Sequence, residues 1–148
     1  MELCSFWVEG EIRGKGRPKF ARRGKFVHTY TDDKTESYEN RIAGAAVKAM
    51  KGKIPFSGAV ALTIACHCPI PTSWSKKKHK QAAEGLLHPL TKPDIDNIVK
   101  AFADGMNSIV YRDDKQIIKL TATKHYSNAK LGVFVVVEEF ISPHAGIA

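Results

Sequence analysis

Long apolar runs are missing from this sequence, and none approaches the roughly 20 residues that a membrane-crossing helix needs. The first residues, MELCSFWVEGEIRGKG, also lack the order of charge, long apolar stretch and small-residue cleavage site that marks an export signal. A soluble, cytoplasmic chain with no membrane partner is expected. Cysteine is scarce. Cys4, Cys66 and Cys68 form an odd set whose spacing suits neither a disulfide framework nor a four-ligand zinc site, so they read as reduced, packed thiols. Acid is missing locally: from Ile12 to Thr31, IRGKGRPKFARRGKFVHTYT, there is no Asp or Glu.

What fills that gap is basic. Arg13, Lys15, Arg17, Lys19, Arg22, Arg23 and Lys25 alternate with glycine, proline and the aromatics Phe20, Phe26 and Tyr30. Such a segment can meet phosphates with its cations and bases with its rings. Gly14, Gly16, Pro18 and Gly24 argue for a loop or long hairpin rather than a helix. The whole chain carries 23 Lys+Arg against 15 Asp+Glu, a formal net charge of +8, which favours a polyanionic partner. A second basic run, KKKHK at 76–80, follows PIPTSW and reads as the exposed face of a short helix capped by Ser73 or Ser75, with Lys76, Lys77 and Lys78 as further candidates for phosphate contact.

The length, 148 residues, fits one domain burying about two thirds of its unfolded surface. The element order reads α/β (α+β), with a mixed β-sheet packed by helices. Leu3 to Arg13 reads as a first strand, and Asp32 to Glu36 as the capped start of a helix whose Tyr38, Ile42, Ala45, Ala46 and Ala49 recur at helical spacing until Gly52 and Pro55. VALTIACHC (60–68) alternates as a strand, placing His67 on the face opposite Cys66 and Cys68 and so arguing against a metal site there. Ile118, Leu120 and Ala122 alternate in a strand at 116–126. LGVFVVVEEF (131–140), apolar on both faces, reads as a central strand expected to form a hairpin with it. The last residues, SPHAGIA, read as a frayed tail.

TKPDIDNIVK (91–100) carries more charge than a helix start needs. Pro93 keeps Lys92 out of helical geometry, and Asp94 suits the N-cap of a helix to about Ser108 with Ile95, Ile98, Phe102, Met106 and Ile109 on its buried stripe. Asp96, Lys100 and Asp104 form an i, i+4, i+8 row on another face. With Asp94 extended, its carboxylate can converge with that of Asp96. Two such groups repel by more than the helix N-terminus typically offsets, ~0.3–1 kcal/mol per charge, so a divalent cation is the natural third party. Mg²⁺ or Mn²⁺ suits oxygen donors, and Asp113 and Asp114 in YRDDKQI supply the further acid. Taken singly, each acid is accounted for by a cap, an ion pair with Lys100 or a turn; together, inside a basic surface, they suit phosphodiester cleavage.

TKPDIDNIVKAFADGMNSIVYRDDKQI resembles the signature of the RusA family of Holliday-junction resolvases, a KPDxDN motif followed by a Lys four residues after the second Asp and an Asp-Asp pair about twenty residues on. GKGRPKF, HTYTDDKTESYEN and PTSWSKKK extend the resemblance, toward phage and prophage members, over most of the chain. It implies a homodimer of mixed α/β fold that binds four-way DNA junctions and, with Mg²⁺ or Mn²⁺, makes paired nicks in recombination and repair intermediates. It places the essential acids at Asp94, Asp96 and Asp114, with Asp113 as neighbour, and the motif lysine at Lys100. The interval to the Asp-Asp pair departs from that of some members by a residue, which leaves the choice between Asp113 and Asp114 open. Lys100 is then a candidate to hold the scissile phosphate, and Asn97 and Asp104 to orient the ligating carboxylates. Two-fold symmetry of a dimer matches that of the junction. The resemblance therefore points to one RusA-like domain over 1–148, with a basic arm at about 13–31, an acidic motif at 92–114 and no small-molecule cofactor. The rival readings are a branched nucleic-acid binder that does not cut, and a metal-dependent nuclease for flaps or single strands.

Overall fold

Alternation in the strand Val60–Pro69 decides how the sheet faces. Val60, Leu62, Ile64, Cys66 and Cys68 are buried while the residues between them are half-exposed, so His67 does stand on the opposite face from both thiols. The computed structural model describes residues 1–15, 19–23, 26–30 and 33–143. Its elements are β1 (Glu2–Glu9), β2 (Lys19–Arg23), β3 (Phe26–Tyr30), α1 (Asp33–Met50), β4 (Val60–Pro69), α2 (Lys76–Ala83), α3 (Ile95–Gly105), a 3-10 turn (Asp114–Gln116), β5 (Ile117–Ser127) and β6 (Gly132–Glu139). The architecture is α+β, with one mixed four-stranded sheet in the order β1-β6-β4-β5 and an antiparallel pair, β2 and β3.

Several expected elements shift or regroup. The first strand stops at Glu9 rather than Arg13, because Gly10 turns the chain at φ +94°. The basic arm does form a hairpin, Lys19 pairing with Tyr30 and Arg23 with Phe26. Arg17 and Lys25 lie outside the described residues, as do Asp32 and the end of the tail, 144–148, while of Lys19, Arg22 and Arg23 only the backbone is described. The hairpin expected between the last two strands does not form. β5 pairs in parallel with β4, and β6 lies on the other side of β4, antiparallel to both β4 and β1. Sequence proximity misleads here because the link from Ser127 to Gly132 can pass over the end of β4: crossing two strand spacings requires roughly 10 Å, and four residues can span about 13 Å. Burial then selects the central slot for β6, whose Val133, Val135 and Val137 are fully buried.

On the core face, α1 supplies Tyr38, Ile42, Ala46 and Met50 at every fourth position, and α3 supplies Ile98, Phe102 and the following Met106. Ile95 departs from the expected stripe: at the first helical position it is 37% exposed. The helix also ends at Gly105, short of Ser108, whose backbone takes φ +65°. The three cysteines are free and buried, and desolvation pushes the Cys66 thiol up to about 12 and Cys4 up to about 11, so both stay protonated.

The two helices touch where Gly105 meets Ile42. A Cβ built on Gly105 would lie 2.7 Å from Ile42 Cγ2, whereas Gly44, exposed within α1, has open space around it. Gly105→Ala should therefore cost ~1–3 kcal/mol, and Gly44→Ala should stabilise by ~0.5–1 kcal/mol. Urea denaturation of both variants checks this; equal effects would contradict a close α1–α3 crossing at Gly105.

Candidate active site

Asp94 sits where the chain leaves an extended segment and enters α3. Its backbone is extended (φ −67°, ψ 144°), as a cap should be, yet its side chain makes no capping hydrogen bond. The carboxylate is left for other work. The segment before it is tied to the sheet by Lys124 on β5, whose Nζ donates to the carbonyls of Thr91 (2.7 Å) and Pro93 (2.9 Å), flanking the cis Lys92–Pro93 bond. On the other side the chain at Gly14 and Lys15 lies against the first turn of α3: Lys15 N donates to the Asn97 carbonyl at 2.9 Å, and a Cβ on Gly14 would lie 2.8 Å from Asn97 Cβ. Gly14, Lys15, Pro93, Asp94, Asp96 and Asn97 line a cleft of about 420 Å³.

Lys15 connects this cleft to the far end of the helix. Its ammonium pairs with Glu39 Oε1 on α1 at 2.7 Å and with Asp104 Oδ2 on α3 at 3.3 Å, and these partners raise its pKa, the Glu39 hydrogen bond most. Expected among the phosphate-contacting cations, Lys15 instead has its charge engaged inside the acidic groove. Asp104 thus pairs with Lys15, and not with Lys100 as the ion-pair alternative for this helix face would have it. Lys100 is exposed and has no ion-pair partner among the described residues.

Asp114 reaches Asp104 by a braced turn. Gln116 Oε1 accepts from the backbone N–H of Arg112 and of Asp113, both at 2.9 Å, and its Nε2 donates to the carbonyls of Phe56 and Gly58. Asp113 is consumed locally, accepting from Lys115 N at 2.9 Å as the cap of the 3-10 turn. Fully buried Tyr111 donates to the Ala103 carbonyl at 2.6 Å and pins this approach against the end of α3; its own pKa is raised, by burial first and then by the nearby aspartates. Asp114, free of such duties, has its pKa raised by desolvation and then by the neighbouring carboxylates of Asp104 and Asp113.

The acids thus form a line rather than a knot. Asp94 and Asp96 stand at the start of α3 and Asp104 with Asp114 at its end, about 12 Å further along the axis at 1.5 Å per residue. Among the described residues no three Asp, Glu, His or Cys side chains gather closely enough to hold one ion. The donor chemistry still suits Mg²⁺, which usually takes only one or two carboxylates and completes its shell with water and substrate phosphate. Sequence reasoning missed Glu39, Gln116 and Lys124. Glu39 adjoins the buried Tyr38 and flanks the Ile42 stripe, a position from which a helical acid faces a neighbour; Gln116 and Lys124 carried no spacing signal.

Of the other basic candidates, Arg13 pairs with Glu11 at 3.2 Å, and Lys76, Lys77 and Lys78 are exposed on α2, which Ser75 caps by accepting from Lys78 N at 3.2 Å. Lys78 also places its ammonium 4.0 Å from the ring centre of Trp74.

A basic α+β chain with carboxylates ranged along one helix has the make-up of a nuclease. The model of the family Endodeoxyribonuclease RusA matches residues 9–138, and the chain belongs to that family. It is also 36% identical over 129 residues to YqaN, an uncharacterised protein of Bacillus subtilis (strain 168), covering 86% of this chain and 90% of that one. No helix of the described residues is long and apolar enough to cross a membrane.

The raised pKa of Asp114 has a signed consequence for stability. The folded state holds this proton more tightly than the unfolded chain, so stability falls as pH rises from the ordinary carboxylate range through the raised value. In EDTA, Asp114→Asn should therefore raise Tm at pH 7, and the gain should vanish toward pH 3. A gain that persists unchanged at low pH would show that charge is not its cause.

Proposed function

We propose that this nuclease resolves four-way DNA junctions, cutting two strands of like polarity with Mg²⁺ or Mn²⁺ as cofactor and acting as a homodimer. The observation that carries the reading is the row of acids along α3, of which Asp104 alone is ion-paired among the described residues, within a chain of net charge +8. Asp94 with Asp96 at one end of α3, and Asp114 with Asp104 at the other, would each supply carboxylates to a divalent ion, which when bound would supply an activated water and neutralise charge on the departing oxygen. Asp113 is the less suited of the adjacent pair, since its carboxylate already accepts the Lys115 amide.

This chain's own residues do the positioning. Lys100 lies on the same face as Asp96 and Asp104 and has no ion-pair partner among the described residues, so its ammonium is available to the scissile phosphate. Asn97, held through its carbonyl by Lys15 N, keeps the first turn of α3 in register with the cleft. Lys15 balances Glu39 and Asp104, keeping part of the acidic groove neutral before substrate arrives. The basic hairpin at 19–30 and the α2 lysines supply the long-range attraction for the backbone, an effect that weakens with salt. A dimer presents two such grooves to the two equivalent strands of a junction.

Labelled four-way junction, matched duplex, flap and single strand, incubated in Mg²⁺, test the reading. Wild type should nick the junction symmetrically, and Asp94→Asn and Asp114→Asn should each lower the rate at least ~100-fold while still binding. Preferential cutting of flaps or single strands would favour the general nuclease instead, and binding without cutting by any form would favour a non-catalytic role. Sedimentation should give a dimer at micromolar concentration; a stable monomer would remove the basis for paired nicks.

A further inference from the structure

A second cavity, of about 610 Å³, shares the wall formed by Gly14, Lys92 and Pro93 with the acidic cleft. Its lining also carries an aromatic pair: Trp74 and Tyr126 meet edge to face, ring centres 5.4 Å apart. Two cations complete it. Lys124, already anchored on the Thr91 and Pro93 carbonyls, lines one part, and Arg13 lines another, its Nε buried and without a hydrogen-bond partner among the described residues. Lys78 lies over the Trp74 ring, fixing that side chain beside the exposed lysines of α2.

A space of this size suits one nucleotide rather than a helix or a duplex. Aromatic faces accept any base by stacking, and an unpaired guanidinium N–H is a donor waiting for a base edge or a phosphate. The cavity and the cleft that holds Asp94 share Gly14, Lys92 and Pro93, so a base lodged in the one would belong to a nucleotide close to a phosphate in the other. Extrusion of a base costs least where pairing is already broken, as at a branch point.

We infer that this cavity holds one nucleobase, unstacked from the strand being cut, between Trp74, Tyr126 and Arg13, and that its occupancy selects which phosphate enters the acidic cleft. The inference rests on the junction-cutting reading for the source of the base. A Trp7→Phe/Asp114→Asn chain, in which Trp74 is the sole tryptophan and cleavage is suppressed, gives a readout independent of turnover. Its fluorescence should be quenched by a four-way junction, and the quench should disappear when one nucleotide beside the exchange point is made abasic. In the otherwise native chain, Trp74→Ala should slow cutting about ten- to a hundredfold, Trp74→Phe should restore most of the rate, and abasic junction should cost wild type a similar factor but Trp74→Ala nothing more.

A quench indifferent to abasic sites at every exchange position, or losses that multiply, would overturn the pocket while leaving the nuclease intact. Quenching by base-bearing single strands without any junction cutting would instead sink the junction reading and keep the pocket. No quench with any nucleic acid, alongside normal cutting, would also exclude the pocket.

Discussion

Repulsion among the carboxylates along α3 is the constraint to which the rest of the fold responds. Left alone, Asp104 and Asp114 would move apart or take up a proton, and the raised pKa of Asp114 records that tendency. They stay together, and Asp94 stays in place, because contacts that involve no carboxylate hold the backbone. Tyr111 fastens the turn to Ala103, Gln116 fastens it to the 56–58 segment, and Lys124 fastens the approach to Asp94. None of these three uses a carboxylate. The frame therefore keeps its shape whether the acids are protonated, bare or matched by a cation.

Lys15 shows how the same constraint is met inside the groove. An ammonium between Glu39 and Asp104 gives α1 and α3 a shared cation at the point where their backbones already come close at Gly105. The pair is partly exposed, so its contribution to stability is modest. Its larger effect is on potential: of the acids at that end of the helix, it offsets Glu39 and Asp104, while Asp114 has no ion pair among the described residues. A basic residue read from sequence as a phosphate contact thus has its ammonium held between two acids of the groove.

Where one periodicity decided the structure, the sequence was readable. β4 and α1 bury what their alternation and four-residue spacing say they should, and Ser75 and Asp94 stand at the two helix starts assigned to them. The KPDIDN and Asp-Asp motifs carried the family, because those acids are few, closely spaced and without a structural duty as a set. What was not readable depended on distance in three dimensions. A four-residue link looks the same whether it closes a hairpin or hops over β4, and only competition for the central slot separates the two. Ile118 and Leu120 alternate like core residues, yet they are 60% and 49% exposed because β5 is the edge strand. Glu39 could not be assigned to the site from spacing, since its relation to Asp104 exists only through the crossing of two helices.

The linear arrangement of acids bears on how a substrate would be handled. A compact three-acid cage would bind a cation tightly before DNA arrived, and its affinity would be set by the protein alone. Two pairs separated by about 12 Å along a helix cannot do that. Each offers too few oxygens for a full shell, so the remaining ligands must come from water and from the phosphate itself. On the proposed reading, metal and DNA would bind cooperatively, and selectivity for a backbone path that runs the length of α3 would become selectivity for catalysis. Lys100, without an ion-pair partner among the described residues and midway along that path, would on the same reading meet the phosphate as both ends engage. A duplex too stiff to follow the groove would leave one pair without its phosphate ligand, which is a physical reason for a nuclease of this design to spare linear DNA while cutting branched DNA.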